Sequence, residues 1–249
     1  MKQRLAVFLF AAMWVCGPAL AAPFDNWAAV VVAGDWHSPD GMATAAFDNA
    51  RRDLVKALEK LGFAAKNIQQ YSAQPERDPA TMPLNSDRRE IEARFKELAS
   101  QATGGCFVYF TSHGVPLGIR VGDAMVGVRP IADIVDAACP NRPTVIVMSS
   151  CYSGMFIPVL RGDNRMVFTA ARADRTSFGC GSSNDYTFFD QCVLESLPKS
   201  TNFPGLAKET QGCVATREMT EGVTMPSEPQ LYLGASATTT LPAFAPPAN

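Results

Sequence analysis

Short apolar runs rich in β-formers alternate along the chain with longer segments of helical periodicity, and this alternation strongly constrains the fold. Strands are predicted at residues 27–33, 68–71, 106–111, 144–149, 165–171 and 230–235. Helices are predicted at residues 44–61, 87–102, 130–138, 187–197 and 205–219. Strands that alternate with helices indicate βαβ units, so we expect an α/β domain built on a central, mainly parallel sheet.

Two reactive side chains follow two of the predicted strands. His113 comes just after the strand at 106–111, and Cys151 comes just after the strand at 144–149. Carboxyl ends of parallel strands meet at one edge of a sheet, and strands joined by one crossover are usually neighbours. We therefore expect Cys151 to act as a nucleophile at this edge, with His113 taking its proton and returning it to a leaving amine.

Glycines close to both residues favour the same chemistry. Gly114 follows His113 directly, and Gly154 lies three residues after Cys151. Because glycine lets the main chain approach a substrate closely, the N–H groups of Gly114 and Cys151 are predicted to form an oxyanion hole. A short helix starting near Ser153 would also place Cys151 at a positive helix end, which favours the thiolate.

The segments FVYFTSHG and VIVMSSCYSG resemble the legumain (hemoglobinase) family of cysteine peptidases, within the caspase-like group. Its members have one strand ending in x-His-Gly and the next ending in x-x-Cys-x-Ser-Gly. VVVAGDW and FTAARADRTSFGC are also similar to family segments, so the resemblance covers about residues 28–195. It implies a caspase-like three-layer sandwich, a peptide or protein substrate, a Cys151 thioester intermediate, and no metal or other cofactor.

The resemblance also suggests residues that contact the substrate. Ser177 falls where the family's loop shapes the pocket for the side chain before the scissile bond, and Asp190 or Gln191 falls near where that pocket gains an acidic residue. The family's basic residue after the first strand has no Arg or Lys counterpart in 35–49, so a preference for asparagine is not predicted. If Asp190 is the only charge in the pocket, a basic side chain would fit it.

The family's asparagine that orients the catalytic histidine has no direct counterpart, and Asp35 or Asp40 is the candidate for that role. His37 is interpreted as an ordinary loop residue, with lining of the cleft as its alternative role, because it follows the first strand.

The chain has seven cysteines, of which Cys16 lies in the predicted leader. If Cys151 is a free thiol, five others remain and at least one more is unpaired. Cys106 sits inside an apolar strand and is expected to be a buried, inert thiol. One disulfide is expected among three cysteines that share a loop-rich stretch: Cys180, Cys192 and Cys213.

The N-terminus has the pattern of a secretory signal peptide. Lys2 and Arg4 precede an apolar run at 5–15, and the small residues at 19–21 follow. This pattern predicts a signal peptide at 1–22 and export to the periplasm or the exterior. After cleavage no other segment is apolar enough to cross a membrane.

Charge and length narrow the remaining possibilities. The net charge of −2 favours neither nucleic acid nor an anionic membrane as a partner. The catalytic domain is predicted at 23–238, and the Pro/Ala-rich tail at 239–249 is expected to fray. The oligomeric state is left open.

Three alternatives to a peptidase remain. A thioester can be resolved by an amine instead of water, which would make the chain a transpeptidase or ligase on the same dyad. A non-catalytic caspase-like binding module would have no need of the intact pair, His113 and Cys151. In a disulfide-rich periplasmic binding protein, Cys151 would instead be oxidised. The cysteine spacings lack the Cys-x-x-Cys of zinc sites, which argues against a metal protein.

Overall fold

The predicted alternation builds a seven-stranded sheet in the computed structural model, which describes residues 23–245. The strands are β1 (Trp27–Ala33), β2 (Ile68–Ser72), β3 (Leu84–Asn85), β4 (Gly105–Thr111), β5 (Gly114–Val115), β6 (Gly118–Val121), β7 (Ala124–Gly127), β8 (Thr144–Ser149), β9 (Arg165–Thr169) and β10 (Gln230–Leu233). The helices are α1 (Ala46–Lys60), α2 (Arg88–Gln101), α3 (Val128–Ala138), α4 (Ile157–Leu160), α5 (Phe188–Ser196), α6 (Phe203–Thr220) and α7 (Ala237–Thr240).

The strand order in the main sheet is β10-β9-β8-β4-β1-β2-β3. Every neighbouring pair is parallel except β9 and β10, which pair antiparallel at the edge. The strands β4 and β8 are neighbours, as the single crossover through α3 predicts. The carboxyl ends of the two strands that precede His113 and Cys151 therefore lie side by side.

Successive side chains along each buried strand pack alternately into two separate hydrophobic cores, one on each face of the sheet. In β1, Ala29 and Val31 point into one core, and Val30 and Val32 point into the other. Helices α1, α5 and α6 cover the first face, and α2 and α3 cover the second. Because β1 is buried on both faces along its whole length, its sequence is an uninterrupted apolar run without polar alternation. The result is a three-layer sandwich.

Local signals in the sequence account for the element ends nearest the site. The Asp87 side chain caps α2 by accepting hydrogen bonds from the N–H groups of Arg89 and Glu90. After Cys151 the predicted short helix is a 3₁₀ turn at Ser153–Phe156 that continues into α4. Strands β6 and β7 form a hairpin, and β5 adds a third strand to it.

Two disulfides cross-link the domain. Cys192 and Cys213 join α5 to α6, so one bridge does form among the three cysteines of that stretch, and it leaves Cys180 free. Cys106 pairs with Cys139 at the end of α3, so the prediction of an inert free thiol at Cys106 was wrong. The partner lies 33 residues away in sequence and comes next to Cys106 only when α3 packs on the sheet.

The C-terminal segment is also more ordered than predicted. Phe244 is buried against Phe24 and Phe203, and its N–H donates to the Thr201 carbonyl at 2.8 Å. The expected fraying is therefore wrong up to residue 245, because this aromatic side chain completes the first core. The predicted signal peptide at 1–22 lies outside the described residues, among which no helix is both long and apolar enough to span a bilayer.

Candidate active site

The ends of β4 and β8 form one edge of the site. Thr111 pairs with Ser149 at these ends, and the N–H of Ser112 donates to the Ser149 carbonyl at 3.0 Å. His113 and Cys151 each come two residues after their strand, and both are half-buried. The two residues that the sequence pattern singled out therefore lie at the same edge of the sheet.

The imidazole of His113 is held from two sides. Its Nε2 lies 2.8 Å from the main-chain carbonyl oxygen of His37. The ring of Phe47 packs edge to face with it at a centroid distance of 5.2 Å. Because a carbonyl only accepts hydrogen bonds, Nε2 carries the hydrogen in this contact. In the neutral ring Nδ1 is then unprotonated and able to take a proton.

The sulfur of Cys151 contacts the loop that follows β9. The N–H of Ser177 donates to Sγ at 3.3 Å, and the carbonyl and Oγ of Ser177 lie 3.5 Å and 4.0 Å from Sγ. Tyr152, with φ at 58°, turns the chain sharply, and its N–H donates to the Arg175 carbonyl at 2.7 Å. Ser177, assigned from the resemblance to the substrate pocket, lies directly against Cys151.

The main chain of Gly114 passes close to that of Cys151. A Cβ on Gly114 would lie 2.2 Å from the Cys151 carbonyl oxygen, so only glycine fits here. The N–H of Arg120 donates to the His113 carbonyl at 2.9 Å, which makes Gly114 and Ile119 a non-hydrogen-bonded pair of the hairpin. The hairpin ladder therefore leaves the Gly114 N–H free to face a ligand.

Among the described residues Asp35 hydrogen-bonds to Trp36 and His37 and not to His113, so its predicted orienting role is not a direct contact. Its Oδ1 accepts from the N–H of Trp36 at 2.7 Å and lies 2.8 Å from Nδ1 of His37. Its Oδ2 lies 3.3 Å from Nε of Arg120. The group that hydrogen-bonds to the His113 ring is a main-chain carbonyl, that of His37, for which the sequence has no signature.

Asp190 lies below the site and is 0% exposed. Its carboxylate accepts hydrogen bonds from the Tyr109 hydroxyl at 2.7 Å and the Thr111 hydroxyl at 2.5 Å. Burial raises the pKa of this carboxyl, although the hydrogen bonds to it act in the opposite direction. The expectation of an open acidic charge in the substrate pocket is thus corrected, since this carboxylate is enclosed in the core beneath β4.

A surface concavity of about 470 Å³ lies beside His113. The loop after β1 forms one wall of this concavity, and the hairpin of β5, β6 and β7 forms the other. A larger concavity of about 800 Å³ lies between α5 and α6, and neither His113 nor Cys151 lines it. Of these two concavities, the smaller one is lined by His113, and Cys151 lines neither.

Side chains that could bind a metal come together at one place in residues 23–245. Cys192, Glu195 and Cys213 lie within ligand distance of one another there. Both cysteines form a disulfide with each other, so neither sulfur is a thiolate ligand.

Comparison with known proteins agrees with this architecture. Caspase-1 from Spodoptera frugiperda superposes with a TM-score of 0.60 at 14% identity, over 90% of this chain and 96% of that one. At this identity the match shows the fold, which is that of the caspases. No curated protein matches the chain.

The family model of the peptidase C13 family matches residues 70–211, more than half of the chain, including His113 and Cys151. The class defined by fold and site is a cysteine peptidase with a caspase-like fold. The chain belongs to the peptidase C13 family, the legumain family, and is therefore a cysteine-type peptidase, a hydrolase that acts on peptide or protein substrates.

Proposed function

We propose that the chain is an endopeptidase in which Cys151 is the nucleophile and His113 is the general base and acid. The observation that carries this proposal is the hydrogen bond from His113 Nε2 to the His37 carbonyl. That contact selects the tautomer in which Nδ1 is free to accept the thiol proton, at the strand end beside Cys151.

In the first step the Cys151 thiolate attacks the carbonyl carbon of the peptide bond. The N–H of Ser177, which donates to Sγ, holds the sulfur in place before attack. The developing oxyanion accepts hydrogen bonds from the N–H groups of Gly114 and Cys151, and the close approach of these two main chains supports this arrangement.

His113 then gives its proton to the leaving amine, and a thioester between Cys151 and the substrate remains. A water molecule loses a proton to His113 and attacks the thioester, which frees the new carboxylate and restores the thiol. His113 returns each proton that it takes during the cycle, and the mechanism requires no cofactor.

We also propose that the protein works outside the cytoplasm after loss of residues 1–22. Disulfides persist in oxidising compartments, and the two bridges Cys106–Cys139 and Cys192–Cys213 support such a location.

The proposal predicts that Cys151→Ala abolishes hydrolysis of fluorogenic peptides. The peptides vary at the residue before the cleaved bond, and the rate is expected to fall at least about 10³-fold. Product masses separate hydrolysis from transfer to an added amine. Hydrolysis that survives Cys151→Ala would refute the Cys151 mechanism.

Cys180→Ala is the matched control, because Cys151 and Cys180 are the two free cysteines among residues 23–245. Burial raises the pKa of the Cys180 thiol to about 11, and the charge of Cys151 adds to this. Cys180 therefore stays a thiol at neutral pH and should react slowly with iodoacetamide. Activity of Cys180→Ala is expected within about twofold of wild type.

A further inference from the structure

A closed network of side chains surrounds the contact between His113 and the His37 carbonyl. It links three residues that lie outside the His-Gly and Cys-x-Ser-Gly motifs: Asp35, His37 and Arg120. The network begins at the ring of His113 and returns to the main chain of the same residue. Each contact in the network holds either the His37 carbonyl or the main chain of His113 in place.

One carboxylate oxygen of Asp35, Oδ1, contacts both the ring and the main-chain N–H of His37. Oδ1 lies 2.8 Å from Nδ1 of the His37 ring and accepts from the His37 N–H at 3.1 Å. The same oxygen accepts from the Trp36 N–H at 2.7 Å, and the Trp36 ring lies against the His37 ring. Because both the ring and the N–H of His37 are tied to Asp35, the carbonyl of His37 has little freedom to swing away.

Arg120 closes the network from the hairpin side. Its Nε lies 3.3 Å from Oδ2 of Asp35, and its own N–H donates to the His113 carbonyl at 2.9 Å. Asp35 is 3% exposed, so this ion pair lies at the boundary of the core, where solvent screens it less than at an open surface. Arg120 thus couples the carboxylate that holds His37 to the main chain of His113.

We propose that Asp35 is a positioning residue for catalysis, acting on His113 through the His37 carbonyl, with Arg120 as its charge partner. Asp35 fixes where the carbonyl lies, the carbonyl fixes the tautomer and ring plane of His113, and Arg120 ties both to the hairpin. This inference rests on the proposed function of His113. A misplaced base costs rate without weakening substrate binding, so the network acts on kcat.

The first test measures kcat and KM of wild type, Asp35→Ala and Asp35→Asn, each normalised to active sites counted by thiol labelling and intact mass. Asp35→Ala is expected to lower kcat about 10- to 100-fold with KM within about twofold. Asp35→Asn keeps an acceptor oxygen for His37 and loses the charge facing Arg120, so an intermediate kcat is expected. Normalising to labelled sites separates slow chemistry from a smaller folded fraction.

Two further variants test whether the His37 ring is needed and whether the effect on kcat is specific to the network. His37→Ala removes the ring but keeps the main-chain carbonyl, and it is expected to lower kcat about tenfold. Asp123→Asn is the control, since Asp123 is exposed on the same hairpin outside the network, and wild-type values are expected. A kcat per active site within twofold of wild type for Asp35→Ala, or a loss confined to KM, would overturn the proposal.

Nuclear magnetic resonance of ¹⁵N-histidine protein gives a readout independent of turnover. The chain has only two histidines, so the imidazole signals of His37 and His113 are resolved without crowding. Wild type is expected to show a protected Nε2–H proton on His113, and Asp35→Ala is expected to broaden it. An unchanged signal would refute the positioning role, whereas an inactive wild type with the expected spectra would refute only the peptidase mechanism.

Discussion

Gly114 lies where the two halves of the site meet. The hairpin leaves its N–H outside the ladder, and its α-carbon faces the carbonyl of Cys151. At the level of single residues, this close approach supports the proposal that the N–H groups of Gly114 and Cys151 converge on one oxyanion.

Gly114→Ala is expected to lower kcat/KM about 10²- to 10³-fold, the range for loss of an oxyanion donor. The new Cβ would meet the Cys151 carbonyl oxygen at 2.2 Å and Ser150 Oγ at 2.9 Å, so the two chains must separate. Peptide hydrolysis checks the rate, and circular dichroism checks that the fold persists.

Gly212→Ala is the matched control for that change. Gly212 lies on an exposed part of α6, and a Cβ there meets no atom within 4 Å. Unchanged activity and a gain of about 0.5–1 kcal/mol in unfolding free energy are expected, because alanine favours helix more than glycine does. Equal effects of the two substitutions would contradict the assigned role of Gly114.

Helix α5 packs against β4, the strand that ends next to His113, and is hydrogen-bonded to it. Thr187 caps its start by accepting from the Asp190 N–H, and the Asp190 side chain reaches Tyr109 and Thr111 on β4. The hydrogen bonds join α5 to the strand that ends next to His113. A carboxylate in this enclosed position serves the packing of α5 on the sheet.

This placement predicts a dependence of stability on pH. Burial raises the pKa of Asp190 above its ordinary value of 3.8, so the folded protein holds this proton to higher pH than the unfolded chain. The stability that the group contributes is present below this ordinary value and is lost as pH rises through the raised pKa.

The Asp190→Asn variant carries an amide that does not titrate, so it should gain stability relative to wild type as pH rises from about 4 to 7. Urea unfolding of both proteins at these pH values measures the difference in unfolding free energy. A difference that stays constant across the range would contradict a raised pKa at this position.

At the scale of the whole molecule, the disulfides join distant parts of the chain. Cys106–Cys139 ties the central sheet to α3 on one face, and Cys192–Cys213 ties α5 to α6 on the other. Each cross-link restricts the unfolded chain, and the first holds α3 to the sheet while the second holds two helices of the other layer together.

Removing either bridge by double alanine substitution is expected to lower the unfolding free energy by about 3 kcal/mol. Urea unfolding without reductant measures this loss. In a chain expressed without residues 1–22, and so without Cys16, alkylation under denaturing conditions should label two cysteines before reduction and six after it. Four labels before reduction would show that one bridge is absent.

The sequence alone predicts the layers of this protein and the two residues at the strand ends. Apolar runs and helical spacing are local signals, so β1, β4 and β8 are found within one or two residues of their bounds. A single crossover between β4 and β8 then suffices to bring His113 and Cys151 to one edge. A disulfide among Cys180, Cys192 and Cys213 was predictable because the three cysteines lie close together in sequence, and Cys192 and Cys213 form it.

Tertiary structure decided what depends on partners far apart in the chain. The pairing of Cys106 with Cys139 needs α3 packed on the sheet, and the burial of Asp190 needs α5 beneath β4. The His37 carbonyl has no side-chain signature, and Arg120 meets Asp35 only after the hairpin folds back. Periodicity along a sequence reports which face of an element is buried, whereas contacts between elements are set by packing that no local pattern encodes.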